Sequence, residues 1–316
     1  MGILDLPSES DPPEPAERSG ERGADRPKAR EMSDPDERGR AYEAIQAHVF
    51  AETGDAAEPS RQPDRSAQRN CWSEVRRYRD MWADHERRWP EQQPAAEMGH
   101  SADPPGWYRS KGGFKMNPER HADTIEAIGR VRKTEPAISA DMQTIGRENA
   151  YGGWLAGFDH RIKGDDRLKE KVAEQAAAEP DKSSYAILRK IPDALRFTCC
   201  YKPENYTRGY HDAKARLEDL GHEMYQSTNH WTDPEYKGVN TRWVTSEGQR
   251  FELQFHTPES FHAKEYVTHK AYERLRNLLT SDEERSELEA FQREVSSRIE
   301  VPEGAADIPD LKKRGF

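Results

Sequence analysis

Five cations fall within RIKGDDRLKEK: Arg161, Lys163, Arg167, Lys169 and Lys171. Residues two apart on an extended segment point the same way, so Arg161 and Lys163 are expected to share a face. Lys171, about two turns into the following helix, can lean back over the same anion. Such a set suits a polyphosphate, and it also suits a solvated helix face balanced by Asp165, Asp166 and Glu170. Two carboxylates form a second group, Asp193 opening DALRFT and Glu252 inside RFELQFHT. Alternation puts Glu252 and Gln254 on one sheet face and Phe251, Leu253 and Phe255 on the other. A mid-strand glutamate has poor strand propensity; metal binding or general-base chemistry would explain it, and so would a polar outer face. The loop DPEYKGVN, residues 233–240, presents Tyr236 and Lys237 beside these strands. A loop ring there can stack on a nucleotide base or plug a partial core.

These side chains need a scaffold, and the composition shows where it is. Of 316 residues only 33% are hydrophobic, 34% are charged, and the mean hydropathy is −1.13. So low an apolar share implies that much of the chain is not packed core. Residues 1–40 hold six prolines, four glycines and no aromatic residue, a composition expected to stay disordered. Residues 1–66 therefore read as a largely disordered leader with one short helix around Tyr42, Ile45 and Val49. Residues 67–118 read as an aromatic helix, with Trp72, Val75, Tyr78, Met81, Trp82 and Trp89 on one stripe and Pro90 as its stop, followed by a Pro- and Gly-rich linker.

From residue 119 to 299 the pattern is denser and alternates between helix and strand. A first helix carries Ile125, Ile128 and Val131, and a second is opened by Ser139 as its cap. YGGWLAGFDHRIKG reads as a strand-like piece leading into the basic helix. Residues 193–201 read as a strand, 207–220 as a helix and 222–228 as another strand. A hairpin, VNTRWVT and RFELQFHT around SEGQ, precedes helices at about 258–279 and 281–298. The fold class is α/β (α+β), a mixed sheet flanked by helices, with residues 300–316 as a tail. No run supports a membrane span or a secretory signal. Cys71, Cys199 and Cys200 make no disulfide framework, so a cytoplasmic setting is expected. The net charge of −10 argues against broad binding of DNA.

Taken in order, the motifs between about 138 and 275 resemble the synthetase domain of the RelA/SpoT family, pyrophosphotransferases that make alarmones such as ppGpp. The family's R-x-K with a second lysine eight residues after the first is similar to Arg161, Lys163 and Lys171. Its magnesium-binding aspartate shortly before an arginine is similar to Asp193 with Arg196. Its Y-x-S-x-H loop resembles Tyr236 to Asn240, its E-x-Q-x-x-T strand resembles Glu252, Gln254 and Thr257, and its acid, His and Tyr on a later helix resemble Glu265, His269 and Tyr272. The chain departs from the family in a spacing of three, not five, between Asp193 and Arg196, and in Gly238 and Asn240 where Ser and His are expected.

The resemblance implies a nucleotidyltransferase-like fold and transfer of pyrophosphate from ATP to the 3′-hydroxyl of a guanine nucleotide, as in the stringent response. It implies ATP binding by Arg161, Lys163, Lys171 and Arg196, Mg²⁺ held by Asp193 and Glu252, catalysis by Glu252 and Gln254, and acceptor binding by Tyr236, Lys237 and Asn240. Alternatives are a toxin of the same architecture, acting on tRNA 3′ ends or making adenosine alarmones, and a non-catalytic nucleotide-binding module. A neutralising protein or a second copy of the chain is the expected macromolecular partner. His211 and Asp212 lack the His-rich neighbours of a metal-dependent hydrolase, so no hydrolase is expected.

Overall fold

The computed structural model describes residues 77–78, 80–90, 104–110, 113–277 and 280–314. The expected leader and the first part of the aromatic helix lie outside them. β1 (Tyr108–Arg109) and β2 (Lys115–Met116) form a short antiparallel pair, and among the described residues six strands make the main sheet, in the order β3 (Trp154–Leu155), β4 (Arg196–Cys200), β7 (Arg250–His256), β6 (Val239–Val244), β5 (Glu223–Asn229) and β8 (Leu311–Lys312). Only β4 and β7 run parallel; every other neighbour is antiparallel. The mixed sheet flanked by helices is the fold class expected from the sequence. The segment read as a tail supplies the edge strand β8, and Ala305 and Ile308 just before it are buried.

Register makes the two sheet faces chemically different. On one face Phe197, Cys199, Phe251, Leu253, Phe255, Val239 and Trp243 are buried, and they share one core with α2 (Pro118–Glu148), α3 (Asp165–Ala178), α4 (Ser184–Leu188) and α5 (Tyr206–Asp219). Tyr210 of α5 meets Phe255 edge-on at 4.9 Å. Gly153 and Gly209 leave room for Tyr201, since a Cβ on either would sit 2.2 or 2.3 Å from its ring. Burial pushes the Cys199 thiol up to about 12, which keeps it out of nucleophilic chemistry.

The expected pair of helices before residue 149 is one helix. Asn117 caps α2 by accepting from the Arg120 amide at 2.8 Å, Pro118 fits the first turn, and the helix runs on through Pro136. Ser139 is no cap: its hydroxyl faces Glu135 and Arg161. Conversely, the single helix expected at 258–279 is broken. α6 (Pro258–His262) opens on a Thr257/Ser260 capping box, a π turn follows at Ala263–Val267, and α7 (His269–Leu275) resumes after it. Thr268 holds the turn, its amide and hydroxyl both donating to the Ala263 carbonyl.

α8 (Asp282–Ser297) carries α1, the helical residues 80–88 with 77 and 78. Tyr78 meets Phe291 edge-on, Trp82 tilts onto the same ring, and His85 is buried between Glu284 and Glu287. Among the described residues, no helix is long and apolar enough to cross a membrane.

Candidate active site on the polar sheet face

Cross-strand pairing builds the site in rows. Arg196 on β4 is paired with Glu252 on β7, Glu252 with Arg242 on β6, and Arg242 with Gln226 on β5. The next row reads Thr198, Gln254, Asn240, Thr228. Because paired residues share a face, these eight side chains lie opposite the apolar layer. Glu252 and Gln254 are nonetheless buried, because the segment after β7 folds back over them. Gln254 Nε2 donates to Glu252 Oε1 at 2.7 Å, and Lys264 Nζ, from the π turn, donates to Gln254 Oε1 at 2.8 Å. A cleft opens here, lined by Gly157, His160, Arg196, Thr198, Lys264 and Glu265 among others.

Charges in this cleft tune one another. Burial and then the Arg196 guanidinium lower the Lys264 ammonium below its ordinary value, with Glu265 and Glu252 opposing. Burial acts to raise Glu265, but Lys264 and Arg196 outweigh it and hold the carboxyl below its usual range. His256 is driven well below 6.5 by burial, Lys264 and Arg196, so its imidazole is neutral.

At the near end of β4 stands a triad. Asp193, in the turn Pro192–Ala194, has Lys171 Nζ at 2.9 Å from both carboxylate oxygens and Lys163 Nζ at 3.0 Å from Oδ2. Burial would raise Asp193, and the two lysines overcome it and pull it below 3.8. Lys163 is lowered, chiefly by burial, although Asp193 pulls the other way. Lys163, Lys171 and Asp193 thus come together, and Arg196, which also depresses Lys163, links them to the sheet rows.

Arg161 goes elsewhere, which corrects the expectation of a shared face with Lys163. The segment is not extended there: residues Phe158–His160 form a 3₁₀ turn, and Arg161 caps it with helical φ −64° and ψ −26°. Alternation therefore fails, and only Ile162 bridges to Leu195. The Arg161 guanidinium donates to Glu135 Oε1 at 2.5 Å and Ser139 Oγ at 3.0 Å, and lies 4.3 Å over the Phe158 ring. Burial acts to raise Glu135, but hydrogen bonds from Arg161 and Ser139 leave it below 4.5.

Tyr236 is not a free loop ring. Its hydroxyl donates to Asn240 Oδ1 at 3.0 Å and lies 2.9 Å from His256 Nε2, while Ser260 Oγ lies 2.9 Å from His256 Nδ1. Burial, then Glu252, pushes the phenol well above its ordinary value, so it stays protonated. Gly238 makes room for this arrangement: its φ is +150°, and a Cβ would sit 2.9 Å from His256 Cε1. A serine there would collide with the imidazole. Lys237 is not brought to the acidic pair; its ammonium donates to the Trp231 and Asp233 carbonyls and braces its own loop.

Sequence reasoning missed Lys264 and His256. His256 carried a signal, since it follows Gln254 by two on the polar face. Lys264 carried none, because its direction depends on the π turn. Tyr272, named with the later helix, is exposed, and His269 sits half-exposed near Glu273.

No family model and no curated protein matches this sequence. Among solved structures the chain is similar to the Type VI effector Tas1 in complex with its immunity protein, at 20% identity and a TM-score of 0.41, over 56% of this chain and 98% of that one. It is also similar to the small alarmone synthetase 1 from Bacillus subtilis bound to its product pppGpp, at 9% identity and a TM-score of 0.37, over 57% of this chain and 93% of that one.

Proposed function

We propose that this chain transfers pyrophosphate from ATP to the 3′-hydroxyl of a nucleotide, with a guanine nucleotide as the acceptor. The observation that carries the reading is the row Arg196–Glu252 next to the Lys163–Asp193–Lys171 triad: an acid on a rigid sheet, with cations on the side from which a triphosphate would approach. Phosphoryl-group transfer depends mainly on positioning and charge stabilisation, which basic groups and acids supply without a Ser or Cys nucleophile.

Lys163, Lys171 and Arg196 bind the donor's phosphates. Glu252 accepts the proton of the acceptor's 3′-hydroxyl as its oxygen bonds to the β-phosphorus; the bond from that phosphorus to the α-phosphate oxygen breaks, and AMP leaves. Tyr236 and Asn240 border the acceptor side, and Arg161 braces the donor side through Glu135. Among the described residues no three metal-ligating side chains cluster. Asp193 and Glu252 offer the one or two carboxylates by which Mg²⁺ is held while substrate phosphates complete its shell; the Lys171 and Lys163 ammonium groups that occupy the Asp193 oxygens at 2.9–3.0 Å would first have to turn to those phosphates. Asp193 and Glu252 are the residues that would hold it, and the ion would add positive charge beside the phosphates.

The test is to incubate the chain with γ-labelled ATP and Mg²⁺ plus GDP, GTP, ATP or bulk tRNA in turn. Label on GDP or GTP with AMP release supports the reading. Label only on tRNA or on an adenine nucleotide replaces the acceptor, and no AMP with any acceptor removes the transfer reading.

A further inference from the structure

Lys264 reaches the polar face from a turn rather than from the sheet, and it does so at the cost of burying an ammonium beside Arg196. Its side chain is 15% exposed. Glu265 at 3.3 Å balances the charge. A lysine that served only Glu265, its neighbour in the chain, would have no need to cross to β7. Yet its Nζ donates to Gln254 Oε1 at 2.8 Å, and the nitrogen of that same amide donates to Glu252 Oε1 at 2.7 Å. An amide has one accepting end and one donating end. With an ammonium on the oxygen, Gln254 can meet Glu252 only as a donor.

We propose that Lys264 is a positioning residue that fixes the amide of Gln254, so that Glu252 Oε1 stays tied and Oε2 is the oxygen presented to the acceptor's hydroxyl. The inference rests on Glu252 acting in the proposed transfer. Without the ammonium the amide keeps only its bond to the carboxylate, pivots about that single contact, and no longer holds Oε1 in one place. Lys264 touches no reacting atom in this scheme; Glu252 also feels its charge directly, and a double variant with Gln254 separates that direct effect from the one that passes through the amide.

The test uses the full chain with ¹⁵N in its glutamine side chains, as wild type, Lys264→Met, Lys264→Arg, Gln254→Leu and the double variant Lys264→Met/Gln254→Leu. The Gln254 signals are those lost in Gln254→Leu. They are expected well separated in wild type and Lys264→Arg, and collapsed towards the position of a free amide in Lys264→Met. In Lys264→Met, kcat should fall about tenfold while the KM for ATP stays within about twofold, and adding that change to Gln254→Leu should cost nothing further. Unmoved amide signals in Lys264→Met, or losses that multiply in the double variant, would overturn the proposal. Should Lys264→Met unfold, Lys264→Arg decides: retained amide signals support the proposal and lost ones end it. A wild-type chain that releases no AMP would remove the transfer reading, and the amide signals would still decide whether Lys264 sets the amide.

Discussion

Arg196 and Glu252 stand directly opposite one another across the parallel pair of β4 and β7. Both are fixed by backbone pairing, so the cation and the acid cannot drift apart as loop residues could. In the proposed transfer, the sheet therefore sets where the cation and the acid stand relative to one another.

Glu252→Gln keeps the volume and the hydrogen-bonding shape but removes the charge. AMP release should drop at least about a hundredfold, with thermal unfolding little changed, since no cavity opens. Wild-type turnover in this variant would sink the assignment.

Lys163→Ala should weaken ATP binding about tenfold to a hundredfold, the worth of a charge-assisted contact. Arg161→Ala should affect ATP affinity much less and stability more, because its guanidinium is engaged by Glu135 and Ser139. Calorimetric titration of both variants separates a phosphate ligand from a brace.

Glu135→Gln should cost about 1 to 2 kcal/mol at neutral pH, after allowance for solvent screening. The folded-state carboxyl titrates below 4.5, so its advantage is fully present above that value and is lost as pH falls through the lower folded value. Denaturation curves of wild type and variant should therefore converge in acid. A gap that persists or widens there would mean that charge is not what the pair contributes.

Tyr236→Ala should lose about 1 to 3 kcal/mol of acceptor binding, the worth of a ring stacked on the acceptor base, and leave ATP binding alone. Tyr236→Phe keeps the ring but strands Asn240 Oδ1 and His256 Nε2, so it should cost about 1 to 3 kcal/mol of stability. Competition titrations and urea denaturation read the two effects separately.

A chain beginning at residue 118 should fold, because the sheet, α2 and α5 all follow that point. It should melt below one beginning at residue 77, since it lacks Met116 from the core and leaves Phe291 without Tyr78 and Trp82. Equal melting temperatures would show that α1 adds nothing to the fold.

The strands and the Glu252/Gln254 face were legible because alternation in RFELQFHT is a local pattern, and local patterning sets which side of a sheet a residue takes. The hairpin and the crossover helix were legible for the same reason. Arg161 was misplaced because its direction depends on a 3₁₀ turn that the sequence FDH does not announce. Ser139 looked like a cap after Pro136, but proline in mid-helix costs one hydrogen bond, and the packing of Ile138, Met142 and Ile145 holds α2 together across it. Lys264 was invisible because i, i+3 and i, i+4 spacing assumes a regular helix, whereas the π turn shifts everything after Ala263 by a residue.

The parallel pairing of β4 with β7 also orders events in time. Residues 196 and 252 meet only after the crossover helix, β5 and β6 have been laid down between them, and such distant contacts form late and slowly. A chain emerging from the ribosome therefore has its lysines and its first acid in hand long before Glu252 can join them. Until β7 is made, β4 with β3 and β6 with β5 are separate pairs, because β7 is the strand that joins them.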